Sequence, residues 1–108
     1  MWYGDYSIQH FLDNLTKKFI NYHKIDNKTD LNTITARGKY IGIWGNNCIN
    51  KPDSSYNSEF YLEVIEFSGY KVQIFIECVA YTKVYIRGWD FLGDKFGPWR
   101  IFSLANIQ

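Results

Sequence analysis

Phe60-Tyr61-Leu62-Glu63-Val64-Ile65-Glu66-Phe67-Ser68-Gly69-Tyr70-Lys71-Val72-Gln73-Ile74-Phe75-Ile76-Glu77-Cys78 decides the fold class. Two runs of β-branched and aromatic residues flank Ser68-Gly69, and a short link containing Gly between such runs is the signature of a tight antiparallel hairpin. Successive side chains of a strand point to opposite faces. Val72, Ile74, Ile76 and Cys78 therefore form one row, expected to face the core, and Lys71, Gln73, Phe75 and Glu77 the other, expected to face outward. Beyond the hairpin, Val84 and Ile86 extend the inward row and Lys83, Tyr85 and Arg87 the outward one, which makes the wetter face around Phe75 and Tyr85 a candidate binding surface. Tyr40 to Trp44 and Trp99 to Phe102 are further β-rich runs bounded by turn residues. The reading is a mainly β fold, a small antiparallel sheet or sandwich-like domain.

Ahead of the sheet the period changes. From Ser7 to His23 the apolar residues are Ile8, Phe11, Leu12, Leu15, Phe19, Ile20 and Tyr22, the rhythm of one amphipathic α-helix. Asp5 or Ser7 suits its N-cap, and Lys17, Lys18 and Lys24 suit the negative end of its dipole. Within the stripe, Ile8, Leu12, Leu15, Phe19 and Tyr22 alternate four and three apart, the seam spacing of a coiled coil. These five are the candidate oligomerisation residues, and the stripe packs either on its own domain or on other copies. Residues 24–33 are polar, with turn-forming Asn and Asp, and read as a connection. Residues 1–30 are thus an N-terminal helix and linker for assembly or docking, and residues 31–108 a β-rich domain.

The chain has 108 residues and a formal net charge of +1, enough for one small domain and no general attraction for phosphate backbones. Nucleic acid is not expected as a partner. Four Trp, nine Tyr and eight Phe are more rings than one small core absorbs, so some are expected on a surface, where they favour protein contacts or stacking on sugars. Cys48 and Cys78 form no Cys-x-x-Cys pair and are expected as reduced thiols. The first residues lack the basic and apolar regions of a signal peptide, and no run of about 18 apolar residues occurs. The expectation is a soluble protein made in the cytosol, with no membrane insertion.

His10 and His23 share no helix face and stand at metal spacing neither from each other nor from a cysteine. There is no Gly-x-Ser-x-Gly elbow and no phosphate-binding glycine loop. Glu63 and Glu77 read as solvated strand residues. No catalytic residue, metal or cofactor is expected.

Residues 45–59 are a long polar connection, read as an exposed loop. Residues 88–98 form a second loop whose apolar side chains, Trp89, Phe91 and Leu92 among them, are expected to be buried. Tyr85, Arg87, Trp89, Asp90 and Trp99 are the candidate ligand-binding residues. A Trp ring covers the apolar face of a sugar while a carboxylate accepts hydroxyl hydrogen bonds. Trp99 reads first as a core residue, and Trp89, beside Gly88 at a strand's exit, reads either way.

Taken in order, Leu31-Asn32-Thr33-Ile34-Thr35, Gly38-Lys39-Tyr40, Asn50-Lys51-Pro52, Leu62-Glu63-Val64-Ile65, Ser68-Gly69-Tyr70-Lys71-Val72-Gln73-Ile74-Phe75, Val84-Tyr85-Ile86-Arg87 and Phe96-Gly97-Pro98-Trp99 resemble the pyocin-knob type of domain of bacteriophage tail fibres and R-type pyocin fibres. The resemblance implies that residues 31–108 are a knob-like module of a virion assembled in the host cytoplasm. It implies a fibre or decoration component without catalytic residues, taking part in trimeric fibre structure or in contact with the bacterial surface; the partners then expected are a homo-trimer, other virion proteins and, through the Trp and Asp residues above, bacterial cell-wall glycan. It also implies core places for Tyr40 and Val64, hydrogen bonding of backbone or loop groups by Gln73, and stacking or bridging of Arg87 with Trp99. Two positions depart from the family. A Gly often precedes the strand that here follows Glu59, and Phe96 stands first in what is commonly a Trp-x-x-Trp pair. The alternatives are a carbohydrate- or protein-binding β module outside phages, and a small enzyme or enzyme inhibitor.

Overall fold

The computed structural model describes residues 8–10, 22–79 and 82–102. Its strands are β1 (His23–Lys24), β2 (Gly38–Gly42), β3 (Phe60–Phe67), β4 (Tyr70–Glu77), β5 (Lys83–Asp90), β6 (Lys95–Phe96) and β7 (Arg100–Phe102), with a 3-10 turn at Leu31–Thr33. They form one sheet of seven strands in the order β1-β2-β3-β4-β5-β6, with β7 paired to β5 beside β6. Among these strands only β1 and β2 run parallel; the other strand pairs are antiparallel. Among the described residues the fold is mainly β, in a single sheet rather than a sandwich.

The hairpin lies where the sequence puts it. Phe67 pairs with Tyr70, and the two linking residues both have positive φ, 49° at Ser68 and 81° at Gly69. Such mirror-image turns match the right-handed twist of the flanking strands.

The core is on the opposite face from the one expected. Phe60, Leu62 and Val64 of β3, Gln73, Phe75 and Glu77 of β4, and Arg87 of β5 are buried. Val72, Ile74 and Ile76 are only half-buried, on the other face with Tyr61, Ile65, Val84 and Ile86. The outward placing of Gln73, Phe75, Glu77, Tyr85 and Arg87 is therefore corrected, and with it the wet face around Phe75 and Tyr85. Phe75 is wholly enclosed: it stacks on Phe60 at 4.5 Å, and Tyr56, Tyr85 and Trp99 meet it edge-on at 6.4, 6.3 and 5.9 Å.

The covering layer explains the reversal. Ile25, Leu31 and Cys48 come from the irregular chain between β1 and β3 and close over Phe60, Leu62 and Phe75. Irregular backbone laid on a sheet needs partners for its buried carbonyls. Gln73 Nε2 supplies them, donating to Leu31 O at 2.8 Å and Ile34 O at 2.9 Å. The polar residue in the β4 row thus marks the covered face. Val64 is buried and Tyr40 packs half-buried against the same cluster.

Residues 24–33 are more than a connection, because Ile25 N–H donates to Ile41 O at 2.8 Å and both Ile25 and Leu31 are core. His23–Lys24 already belongs to the sheet, ahead of the expected boundary. Residues 45–59 are likewise not a simple exposed loop. Asn46 and Cys48 are buried. Asn46 Nδ2 donates to Ile25 O at 2.8 Å, and its Oδ1 accepts from Cys48 N at 2.9 Å. Leu31 N donates to Ile49 O at 3.0 Å and Ile49 N to Thr29 O at 2.9 Å. Both cysteines are free, Cys48 buried and Cys78 exposed.

Residues 8–10 are helical and exposed, Ile8 included, while residues 11–21, with Leu12, Leu15 and Phe19 of the expected seam, lie outside the described residues. The expected helix end is corrected: His23 pairs with Tyr40 as strand. Tyr22, just before it, is exposed and meets Tyr61 edge-on at 6.0 Å. Among the described residues no helix is long and apolar enough to cross a membrane.

Candidate functional site

Arg87 stands on the core row of β5 and is 6% exposed. A guanidinium there is costly unless other groups replace its water. Phe96 on β6 and Trp99 just before β7 do part of this, with ring centroids 4.8 and 4.3 Å from Arg87 Cζ, so the electron-rich ring faces meet the cation. The chain delivers both rings because β6 and β7 pair with different stretches of β5, and Gly97 N–H donates to Gly88 O at 2.8 Å between them. Arg87 Nε donates to Gln73 Oε1 at 2.8 Å. The guanidinium is thereby tied through Gln73 to the loop carbonyls. Its Nη2 is buried and has no hydrogen-bond partner. Burial pulls its pKa down to about 10, with Asp30 opposing, so Arg87 is charged at neutral pH.

Arg87 lines a cavity of about 460 Å³ with Asn32, Asn50, Lys51, Asp90, Lys95 and Trp99. Trp99 is held in place there: its indole N–H donates to Asn50 O at 2.9 Å. Asn50 Nδ2 donates to Asp30 Oδ1 at 2.7 Å, and the same oxygen accepts from Asn32 N at 2.9 Å. Lys51 Nζ donates to Asn46 O at 3.2 Å and to Tyr56 O, fastening the 45–59 segment that forms this wall. Asp90 Oδ1 accepts from Leu92 N at 3.0 Å within its own turn. A second cavity of about 340 Å³ is lined by Val72, Ile86, Trp89, Pro98 and Arg100, with Arg87 and Asp90 again contributing.

Of the five residues singled out in the sequence, Arg87, Asp90 and Trp99 come together at the first cavity. Trp89 lies at the second, edge-on to Phe96 at 5.0 Å and with Lys71 Nζ 5.3 Å from its ring centroid. Tyr85 packs on Phe75. Trp99 touches the core through Phe75 and also lines the first cavity. The expectation that the second loop buries its apolar side chains is corrected for Phe91 and Leu92, which are exposed.

Asn32, Asn50, Lys51, Lys95 and Phe96 were not anticipated as cavity residues. The one signal was indirect: Asn50-Lys51 and Phe96-Gly97-Pro98-Trp99 stand in the segments that carry the resemblance, and the two ends of the latter are the rings on Arg87.

The two glutamates depart from the solvated reading. Glu77 is buried with Oε2 unpartnered, and burial, then Asp53, pushes its carboxyl above the ordinary range while Lys83 opposes. Glu63 is half-buried and accepts the Tyr61 hydroxyl at 2.7 Å. Among the described residues no three His, Cys, Asp or Glu side chains converge to hold a metal. Comparison with protein-family models, curated proteins and solved structures finds no match for the chain.

Proposed function

We propose that the chain is a structural and binding component of a bacteriophage virion, a fibre or decoration protein whose β-rich domain faces outward and holds a bacterial surface glycan at the Arg87 cavity. The observation that carries the binding part is the wall of that cavity. A Trp ring fixed by Asn50 is set among amide, ammonium, guanidinium and carboxylate groups, which suits a sugar with its apolar C–H face and its rim of hydroxyls. The virion part is supported by the resemblance, since Gln73, Phe96 and Trp99, all in its segments, are among the residues that build the site. In this reading the N-terminal stripe joins copies into a homo-trimer or docks the domain on other virion proteins.

The test is binding of the purified full chain to an array of bacterial surface polysaccharides. A subset is expected to bind, weakened about tenfold by Trp99→Leu through loss of ring stacking. Trp99 also packs on the core, so Asp90→Asn, an exposed position whose turn hydrogen bond Asn can keep, is the second variant, with circular dichroism reporting the fold. An intact chain that binds no polysaccharide on the array overturns the glycan reading.

A further inference from the structure

We infer that the Arg87 cavity is an oxyanion subsite, so that the glycan it takes carries a carboxylate or phosphate group. The inference rests on the glycan reading above and narrows it to acidic sugars.

Buried cations are normally paired with an anion. Arg87 is not. Its Nε is used by neutral Gln73, its Nη2 has no acceptor, and the rings of Phe96 and Trp99 attract the charge without accepting its in-plane N–H groups. One oxygen of each nearby carboxylate is engaged elsewhere: Asp30 Oδ1 by Asn32 and Asn50, Asp90 Oδ1 by Leu92 N. Lys51 and Lys95 also line the cavity, so its lining carries three cations against the one carboxylate of Asp90.

An oxyanion entering this space meets the edge of the guanidinium that is not buried, whose N–H groups suit carboxylate or phosphate oxygens. Lys95 adds a second charge. The Trp99 ring is placed for the sugar that bears the anion. The occupied site would thus supply the counter-charge that the folded chain lacks, which distinguishes it from a guanidinium serving the core alone.

The experiment is an NMR titration of the full chain with galacturonate, galactose 6-phosphate and galactose, following the Trp99 indole N–H and the Arg87 Nε–H. At least one of the two acids is expected to shift both signals saturably, about tenfold more tightly than galactose, and the tighter acid identifies carboxylate or phosphate as the preferred group. Lys95→Gln, an exposed change that leaves the core intact, is expected to weaken the acid about threefold or more and to weaken galactose by clearly less, so that the preference for the acid shrinks. Arg87→Met, which keeps an apolar stem between the rings, is expected to abolish the preference. If that variant does not fold, Lys95→Gln decides. Equal binding of galactose and both acids overturns the inference and leaves the glycan reading standing. No saturable shift with either acid, alongside a positive polysaccharide array, does the same; a negative array removes the glycan reading itself.

Discussion

Glu77 shows what one charge on the covered row costs. Its Oε2 is buried without a partner, and burial raises the carboxyl pKa above the ordinary value of 4.5. The folded chain therefore holds this proton more tightly than the unfolded chain does. That contribution to stability is fully present below the ordinary carboxylate value and is lost as pH rises through the raised folded value. Glu77→Gln keeps the shape and removes the charge. It is expected to raise Tm at neutral pH by about 4–8 °C, the shift that about 1 kcal/mol produces in a domain of this size. It is also expected to flatten the decline in stability above about pH 4.5, measured by thermal denaturation across a pH series. A variant with the native pH profile would exclude Glu77 as the source. The face that β4 buries departs from its hydropathy for a related reason. Its alternation was legible, but Val72, Ile74 and Ile76 are the more apolar row, and hydropathy alone turns that row inward. What selects the Gln73, Phe75 and Glu77 row is the layer above it, whose carbonyls at Leu31 and Ile34 need the Gln73 amide, and nothing within the strand announces that demand.

Among the elements, the β3–β4 hairpin was the most legible because its register follows from its own turn. Ser68, at φ 49°, occupies a left-handed position that Asn tolerates better, and Asn-Gly is the favoured pair for a turn with two positive φ values. Ser68→Asn is expected to stabilise the domain by about 0.5 kcal/mol, seen as a higher denaturation midpoint with an unchanged slope. An equal or lower midpoint would show that the turn is not governed by this preference. The shorter elements were much less legible. β1 and β6 have two residues each, too few to show any period. They exist because longer neighbours, β2 and the end of β5, offer them edges. β5 itself runs on through Gly88, Trp89 and Asp90, which read as loop, because β6 pairs with Trp89 and Asp90. The cavity is built around these late pairings, so three of its residues were visible in the sequence while the opposite wall, from Asn32, Asn50 and Lys51, was not.

For the molecule as a whole, the rows Tyr61 and Ile65, Val72, Ile74 and Ile76, and Val84 and Ile86 give the sheet's second face a largely apolar character, interrupted by Glu63 opposite Ile74 and Arg100 opposite Ile86, while leaving it half-buried. Trp44, Phe67, Tyr70, Phe91 and Leu92 are exposed as well, so the surplus of rings counted in the sequence does reach the surface. A small domain has little stability to spare, and apolar surface of this extent favours association. The proposed homo-trimer makes a direct prediction. Light scattering over an about tenfold concentration range should return three times the mass of the chain, because subunits joined through buried apolar seams stay together on dilution. Leu15, at the centre of the stripe from Ile8 to Tyr22, is the position to change. Leu15→Asp would place a carboxylate in the seam of every copy at a cost of about 3 kcal/mol or more each. The variant should fall to monomer while the near-ultraviolet dichroism of the buried Phe75 cluster is retained, since that cluster draws its contacts from residues 25–99. A native chain that is monomeric throughout overturns the trimer, and a trimer indifferent to Leu15→Asp moves the contact from the N-terminal stripe to the sheet.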